Sequence, residues 1–252
     1  MAEYFNPFSL KGKTILVTGA SSGIGRGVAI GCSRMGATIV VAGRNEKRIG
    51  ETLSMMEEGG HAKMICDLTV QDEMVEAVRT LPKLDGVVHC AGIGQRIPSK
   101  LLQEDDVVSV MSANFKSPVL LQAELLKQKK VNKAASIVFI ASIASWSPSI
   151  GNSIYSASKG AIVSYANCLS LELAPRQIRV NCISPAMVWT DLILANGTDA
   201  DQLKEDEKKY PLKRYGTPED IANLAIYILS DASAWMTGSN VNITGGGHFV
   251  VR

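Results

Sequence analysis

Tyr155 and Lys159 are the two side chains of this sequence best suited to moving a proton together. They stand i, i+4 in a stretch with helical patterning, Ser-Ile-Tyr-Ser-Ala-Ser-Lys, so both leave one face of a helix and can share a site. A free phenol has a pKa of about 10, and bringing it to about 7 takes roughly 4 kcal/mol of preferential phenolate stabilisation. A nearby ammonium supplies part of that, and a phenol so tuned exchanges a proton with a carbonyl or alcohol oxygen. Composition alone yields about 0.4 such pairs by chance, so spacing does not establish the site. Context adds to it. Ser142 ends an apolar run thirteen residues before Tyr155, and Asn114 lies in an earlier helical stretch, Ala-Asn-Phe-Lys-Ser-Pro.

A second constellation is Thr18-Gly19-Ala20-Ser21-Ser22-Gly23-Ile24-Gly25, which follows a β-branched run and leads straight into a helical pattern. Gly19, Gly23 and Gly25 allow a tight turn, and a phosphate can approach the backbone N–H groups of Ser21, Ser22 and Ile24 at a helix N-terminus. A P-loop would need a Lys followed by Ser or Thr after its last glycine, whereas Arg26 and Gly27 follow here, which disfavours an ATPase.

Both constellations need a scaffold that presents them at one edge. Short apolar runs at 14–17, 38–42, 62–66, 86–90, 136–140, 179–183 and 240–243 read as strands, and their near-continuous apolar character fits burial on both faces. Helical patterns at 23–35, 46–58, 70–80, 104–129, 155–173 and 218–230 alternate with them. This alternation predicts an α/β fold of the doubly wound Rossmann type, about seven parallel strands with helices on both faces. Residues 1–252 read as one domain with an insertion near 187–216, in which the polar run 196–209 is either a flap over the site or a solvated helix face. The basic cluster Lys127, Lys129, Lys130 and Lys133 reads as favourable charge at the C-terminal end of its helix.

The T-G-x-x-x-G-x-G turn, Asn114, Ser142 and Tyr155-x-x-x-Lys159 together resemble the classical short-chain dehydrogenase/reductase family, and the resemblance covers nearly the whole chain. It implies a nicotinamide dinucleotide cradled by the glycine turn. Tyr155 would act as general acid/base, Lys159 would lower its pKa and hold the nicotinamide ribose, Ser142 would bind the substrate oxygen, and Asn114 would hold a water linking Lys159 to solvent. Asp67-Leu68 would meet the adenine, although a helix N-cap is an equal alternative for Asp67. Ala91 and Gly92 would lie against the cofactor, and Pro185, Val188 and Thr190 beside the nicotinamide. After the second strand the chain reads Gly43-Arg44-Asn45, without the acid that favours NAD, and Arg44 can take a ribose 2′-phosphate. NADP(H) is therefore expected over NAD(H). Three positions depart from the family pattern: His89-Cys90 replace its paired asparagines, and Ala186 replaces a glycine. His89 reads as structural.

Composition narrows the remaining classes. A net charge of +2 lacks the footprint of a nucleic-acid binder, and no apolar run reaches the ~18 residues of a membrane span. The start of the chain lacks a secretory pattern, so a cytoplasmic protein is expected. Cys32, Cys66, Cys90, Cys168 and Cys182 read as reduced core thiols, and His61, His89 and His248 lack metal-site spacing, so no metal is expected. The expected activity is NADP(H)-dependent interconversion of a small-molecule carbonyl and alcohol. A 3-oxoacyl-[acyl-carrier-protein] reductase is the specific alternative, since 210–220 resembles that subgroup, and a non-catalytic NADP(H)-sensing interaction protein is the alternative of another class. Ile93, Ile143, Trp146, Ile150, Met187, Trp189 and Leu192 are the expected pocket wall. Apolar surface on the helices at 104–129 and 155–173 suits a homo-oligomer, dimer or tetramer.

Overall fold

The computed structural model describes residues 6–195 and 199–247; the Asn196–Thr198 part of the expected flap and His248 lie outside the described residues. Seven strands form one sheet: β1 (Thr14–Thr18), β2 (Thr38–Gly43), β3 (Ala62–Ile65), β4 (Leu84–His89), β5 (Val131–Ile140), β6 (Arg179–Pro185) and β7 (Asn240–Ile243). Their order is β3-β2-β1-β4-β5-β6-β7, and every pairing is parallel.

Both faces of the sheet's inner strands are apolar, which is why those strands read as nearly unbroken hydrophobic runs. Leu16, Val40, Val87, Ile137, Phe139 and Val180 face one layer, where they pack on α3 (Gln71–Thr80), α5 (Ser117–Lys127) and α6 (Ser153–Leu173). Their alternates Ile15, Val17, Ile39, Val41, Val88 and Val138 face the other layer, with α1 (Gly23–Arg34) and α9 (Pro218–Leu229). The remaining helices are α2 (Glu46–Ser54), α4 (Glu104–Met111), α7 (Asp191–Ala195) and α8 (Ala200–Glu207). The chain order reverses between β1 and β4, and the crevice beyond the carboxyl ends of such neighbours is where open α/β sheets bind ligands.

Four details differ from the sequence reading. The helix expected over 104–129 is two helices joined by a π turn at Ser112–Lys116 that carries Asn114. The polar run contains α8, and the insertion is closed at its base by Trp189 N–H to Gly216 O at 2.9 Å and Gly216 N–H to Met187 O at 3.0 Å. Lys130 donates to Arg79 O at 2.8 Å and Leu81 O at 2.6 Å, so it satisfies the end of α3 rather than of its own helix. Cys168 is exposed on α6, whereas Cys32, Cys66 and Cys182 are core thiols.

Candidate active site

The carboxyl edge of the sheet gathers both constellations. The turn after β1 has Gly19 at φ +64°, and a Cβ there would lie 2.8 Å from Ala91 Cα, so only glycine lets the β1 and β4 ends approach so closely. A Cβ on Gly25 would land on the Gly19 carbonyl. Thr18 Oγ1 fastens the two ends by accepting from Cys90 N at 3.1 Å and Ala91 N at 3.2 Å. Ser22 caps α1 without a side-chain hydrogen bond, and the first turn of α1 has no acid, so its N–H groups stay available to an anion. Gly23 sits under the Thr190 methyl, 3.1 Å from where its own Cβ would be, and Ser21 O accepts from Arg26 at 2.6 Å.

Beyond this turn lies the site expected for an adenosine. Arg44 is mostly exposed and pairs with Asp67 at 3.1 Å. Asp67 Oδ1 accepts from Thr69 N at 2.9 Å and Thr69 Oγ1 at 2.7 Å. Burial raises its carboxyl, but the Thr69 bonds and the Arg44 guanidinium outweigh this and hold it below the ordinary value. Val70, not Asp67, is the N-cap of α3, so the capping alternative for Asp67 is not realised. Asn45 spends its side chain on capping α2, accepting from Arg48 N at 3.0 Å, and Leu68 packs on the core.

A cleft of about 570 Å³ opens beside the turn, lined by Ser142, Tyr155 and Lys159 together with Ile24, Gly92, Pro185, Val188 and Thr190. Lys159 is 6% exposed, donates to Ile140 O at 2.8 Å and has its Nζ 5.8 Å from the Tyr155 ring centroid. Burial lowers its ammonium to about 8, although the neighbouring Cys90 and Cys182 act to raise it. Burial also raises the Tyr155 phenol, against a hydrogen bond with Ser142 that lowers it, so the chain alone holds this phenol protonated. Ser142 Oγ further accepts from Ala144 N at 3.1 Å. Asn114 lies behind them: Oδ1 accepts from Ile93 N at 2.8 Å, and Nδ2 donates to Ile93 O at 2.9 Å and Ser158 Oγ at 3.1 Å.

Of the expected wall, Ile93, Ile143, Met187 and Leu192 line the cleft. Trp146 and Ile150 lie outside the lining, at 47% and 91% exposed. Trp189 instead packs beside Tyr215 and donates from Nε1 to Glu207 Oε2 at 2.8 Å. Sequence reasoning missed Gln95, Arg96, Asp206, Lys209 and Tyr210 in the lining. Asp206 and Lys209 sit in a charge-rich run that looks like a solvated face, and no spacing singles them out.

A family model described as enoyl-(acyl carrier protein) reductase matches residues 19–248. The 3-oxoacyl-[acyl-carrier-protein] reductase FabG of Rickettsia felis is 32% identical over 242 residues, 94% of this chain and 97% of that protein. The L-xylulose reductase of Caenorhabditis elegans is 30% identical over 242 residues, 93% and 95% of the two chains. Among solved structures, a candidate 2-deoxy-D-gluconate 3-dehydrogenase from Agrobacterium tumefaciens, described with bound NADP, superposes with a TM-score of 0.86 at 31% identity over 96% of this chain and 98% of its own. The chain belongs to the short-chain dehydrogenase/reductase family. It is an oxidoreductase of CH–OH and C=O groups, and the family uses a nicotinamide cofactor.

This short-chain dehydrogenase/reductase replaces the family's paired asparagines by a packed histidine and a thiol. His89 is 3% exposed, stacks on Phe139 at 4.5 Å between centroids and 7° between planes, and bonds Gln122 Oε1 through Nε2 at 3.1 Å. Cys90 lines the cleft beside Lys159, and burial pushes its thiol up to about 12. Ala186 continues the β6 end without a positive φ, and its N–H bonds Ile243 O at 3.1 Å.

Proposed function

We propose that this enzyme interconverts a carbonyl and an alcohol on a small molecule with NADP(H) in preference to NAD(H). The observation that carries this reading is the convergence of Tyr155, Ser142 and Lys159 on one cleft beside an uncapped, glycine-built helix N-terminus. The bound dinucleotide would supply or accept the hydride at the substrate carbon. Tyr155, kept protonated by burial, gives its proton to the carbonyl oxygen during reduction. Ser142 donates to the same oxygen and stabilises the negative charge that develops there. Lys159 faces the Tyr155 ring and can hold the ribose hydroxyls of the nicotinamide half. Asn114 acts as a positioning residue, because its amide is committed to Ile93 and Ser158.

The pyrophosphate would lie at the α1 N-terminus on Gly19, Ser21, Ser22, Gly23, Ile24 and Gly25. Ala91 and Gly92 would allow its close approach, and Pro185, Val188 and Thr190 would flank the nicotinamide. Arg44 keeps most of its guanidinium exposed beside Asp67, which supports a 2′-phosphate there. We also propose that the protein is a homo-oligomer, because Val107 and Val108 on α4 and Leu171 on α6 stand exposed.

The test is loss of NADPH absorbance across ketones, diketones, ketosteroids, sugars, oxo acids and acyl thioesters, beside Tyr155→Phe and Arg44→Asp. Turnover that falls at least a thousandfold in Y155F, with NADPH binding intact, is the expected result. An active Y155F would remove Tyr155 from the mechanism. Arg44→Asp should weaken NADPH binding far more than NADH binding, and equal effects on the two would overturn the NADP(H) preference. Preferential turnover of 3-oxoacyl carrier-protein thioesters would favour the reductase alternative, a reading that the FabG relatives support only at about the level of the family.

A further inference from the structure

The cleft wall opposite α7 and α8 is made by residues 93–98 and the loop 143–152, tied together by Ile97 N–H to Gly151 O at 2.8 Å. Gly151 has φ +83°, a conformation that favours glycine, and lies against the Arg96 stem, a Cβ there being 3.6 Å from Arg96 Cγ. Four charged side chains line this cleft: Arg96, Lys159, Asp206 and Lys209. Asp206 is fully engaged, accepting from Tyr215 Oη at 2.6 Å and pairing with Lys209 at 3.1 Å. Asp106, the acid tied to the cleft residue Gln95, is engaged too: it accepts from Gln95 Nε2 at 2.6 Å and from Gln103 N at 2.9 Å.

Arg96, by contrast, has neither a carboxylate partner nor a hydrogen bond among the described residues. A guanidinium always carries its charge and presents a planar fork of donors that matches a carboxylate. Arg96 is exposed at the side of the substrate cleft and carries no compensating acid, so it attracts an anion, while an uncharged group gains no charge-assisted bond from it. The same wall sets Ser147, Ser149 and Asn152 beside the apolar Ile93, Ile143 and Ala144, so it offers partners to substrate hydroxyls next to Arg96. The N-terminus of α6 lies beside it, since the N-cap Asn152 lines the same wall and Gly151 adjoins the Arg96 stem, and a helix N-terminus likewise favours an anion.

We propose that Arg96 is a specificity residue that binds a substrate carboxylate, so that the carbonyl or alcohol turned over here belongs to a small hydroxy- or oxo-acid. This rests on the oxidoreductase reading above and names the substrate class of that same cleft.

The experiment compares 4-oxopentanoate, 5-oxohexanoate and a six-carbon keto-aldonic acid with their methyl esters or amides, by NADPH oxidation and by titration calorimetry on the NADPH-bound protein. Arg96→Gln and Arg96→Lys are run in parallel, and 3-oxobutanoyl-coenzyme A is set against 3-oxobutanoyl-N-acetylcysteamine. At least one acid should be preferred over its uncharged partner by tenfold or more, mainly through KM. The preference should collapse towards unity in R96Q and survive in part in R96K. Because each ratio is taken within one variant, a loss of folded protein cancels from it. Equal use of acids and esters, a preference unchanged in R96Q, or no binding of any acid would overturn the proposal. So would a preference confined to the phosphate-bearing thioester. Acid binding that depends on Arg96 without turnover of any acid would overturn the substrate assignment and leave the oxidoreductase reading, which the wider carbonyl panel tests, in place.

Discussion

At the scale of single residues, burial sets the protonation of the site, lowering the Lys159 ammonium to about 8 and raising the Tyr155 phenol. Tyr155, Lys159 and Ser142 were legible because their spacing follows from a helix face and a strand end. The effect of burial on them was not, because it depends on which distant segments cover the site: Ile140 O beside Lys159, and the thiols Cys90 and Cys182 from two other strands. His89 shows the same dependence. Burial lowers its imidazole to about 4 from 6.5, while the Gln122 bond acts to raise it. The unfolded chain therefore binds the proton more readily between those values, and stability is lost as pH falls from 6.5 towards 4. The loss amounts to up to roughly 3 kcal/mol. Urea unfolding of wild type and His89→Gln at pH 7, 5.5 and 4.5 should show a distinctly shallower acid-side decline in the variant. Parallel declines would mean that His89 is not the buried neutral group the packing implies.

At the scale of elements, the inner strands were legible because a parallel sheet buried on both faces leaves an apolar run in the sequence, whereas the partly exposed edges β3 (Ala-Lys-Met-Ile) and β7 (Asn-Val-Asn-Ile) were legible from their place in the strand–helix alternation. The π turn at 112–116 left no such mark. Ser-Ala-Asn-Phe-Lys fits an ordinary helix, and the reason for the extra residue lies 21 positions away, where Asn114 pairs both backbone groups of Ile93. The α8 region was illegible for a related cause. Its charges look solvated, yet Asp206 and Glu207 turn inward to Tyr215 and Trp189 and clasp the insertion, while Lys204, Glu205 and Lys208 stay exposed. The π turn gives a direct prediction. Asn114→Ala strips the backbone partners from Ile93 and removes a bond to Ser158, and leaving such part-buried groups unpaired costs roughly 2–3 kcal/mol. Chemical denaturation should show that loss. A change below about 0.5 kcal/mol would mean that solvent replaces the amide and that the turn does not depend on Asn114.

At the scale of the whole molecule, the described helices leave more apolar surface than a lone chain needs to expose. Val107 and Val108 on α4 are 37% and 53% exposed, and Leu171 on α6, a helix that packs on α4, is 77% exposed. Large apolar side chains exposed along two neighbouring helices suit an interaction face. A net charge of only +2 offers little repulsion between copies. A second copy related by a two-fold axis would bury the same face on both chains, since such an interface is self-complementary. The expected result of sedimentation velocity at micromolar concentration is therefore a dimer or tetramer. Val108→Glu would bury a charge from each copy in that face and should shift the species to the next smaller one. Because the variant changes an exposed position, its melting in isolation should stay within about 0.5 kcal/mol of the monomer's own stability, and a shift in sedimentation would then report association rather than misfolding. Monomer alone in the wild type would remove the oligomer. An unchanged oligomer in V108E would move the interface off this face, with the wholly exposed Trp235 beyond α9 as the next surface to charge.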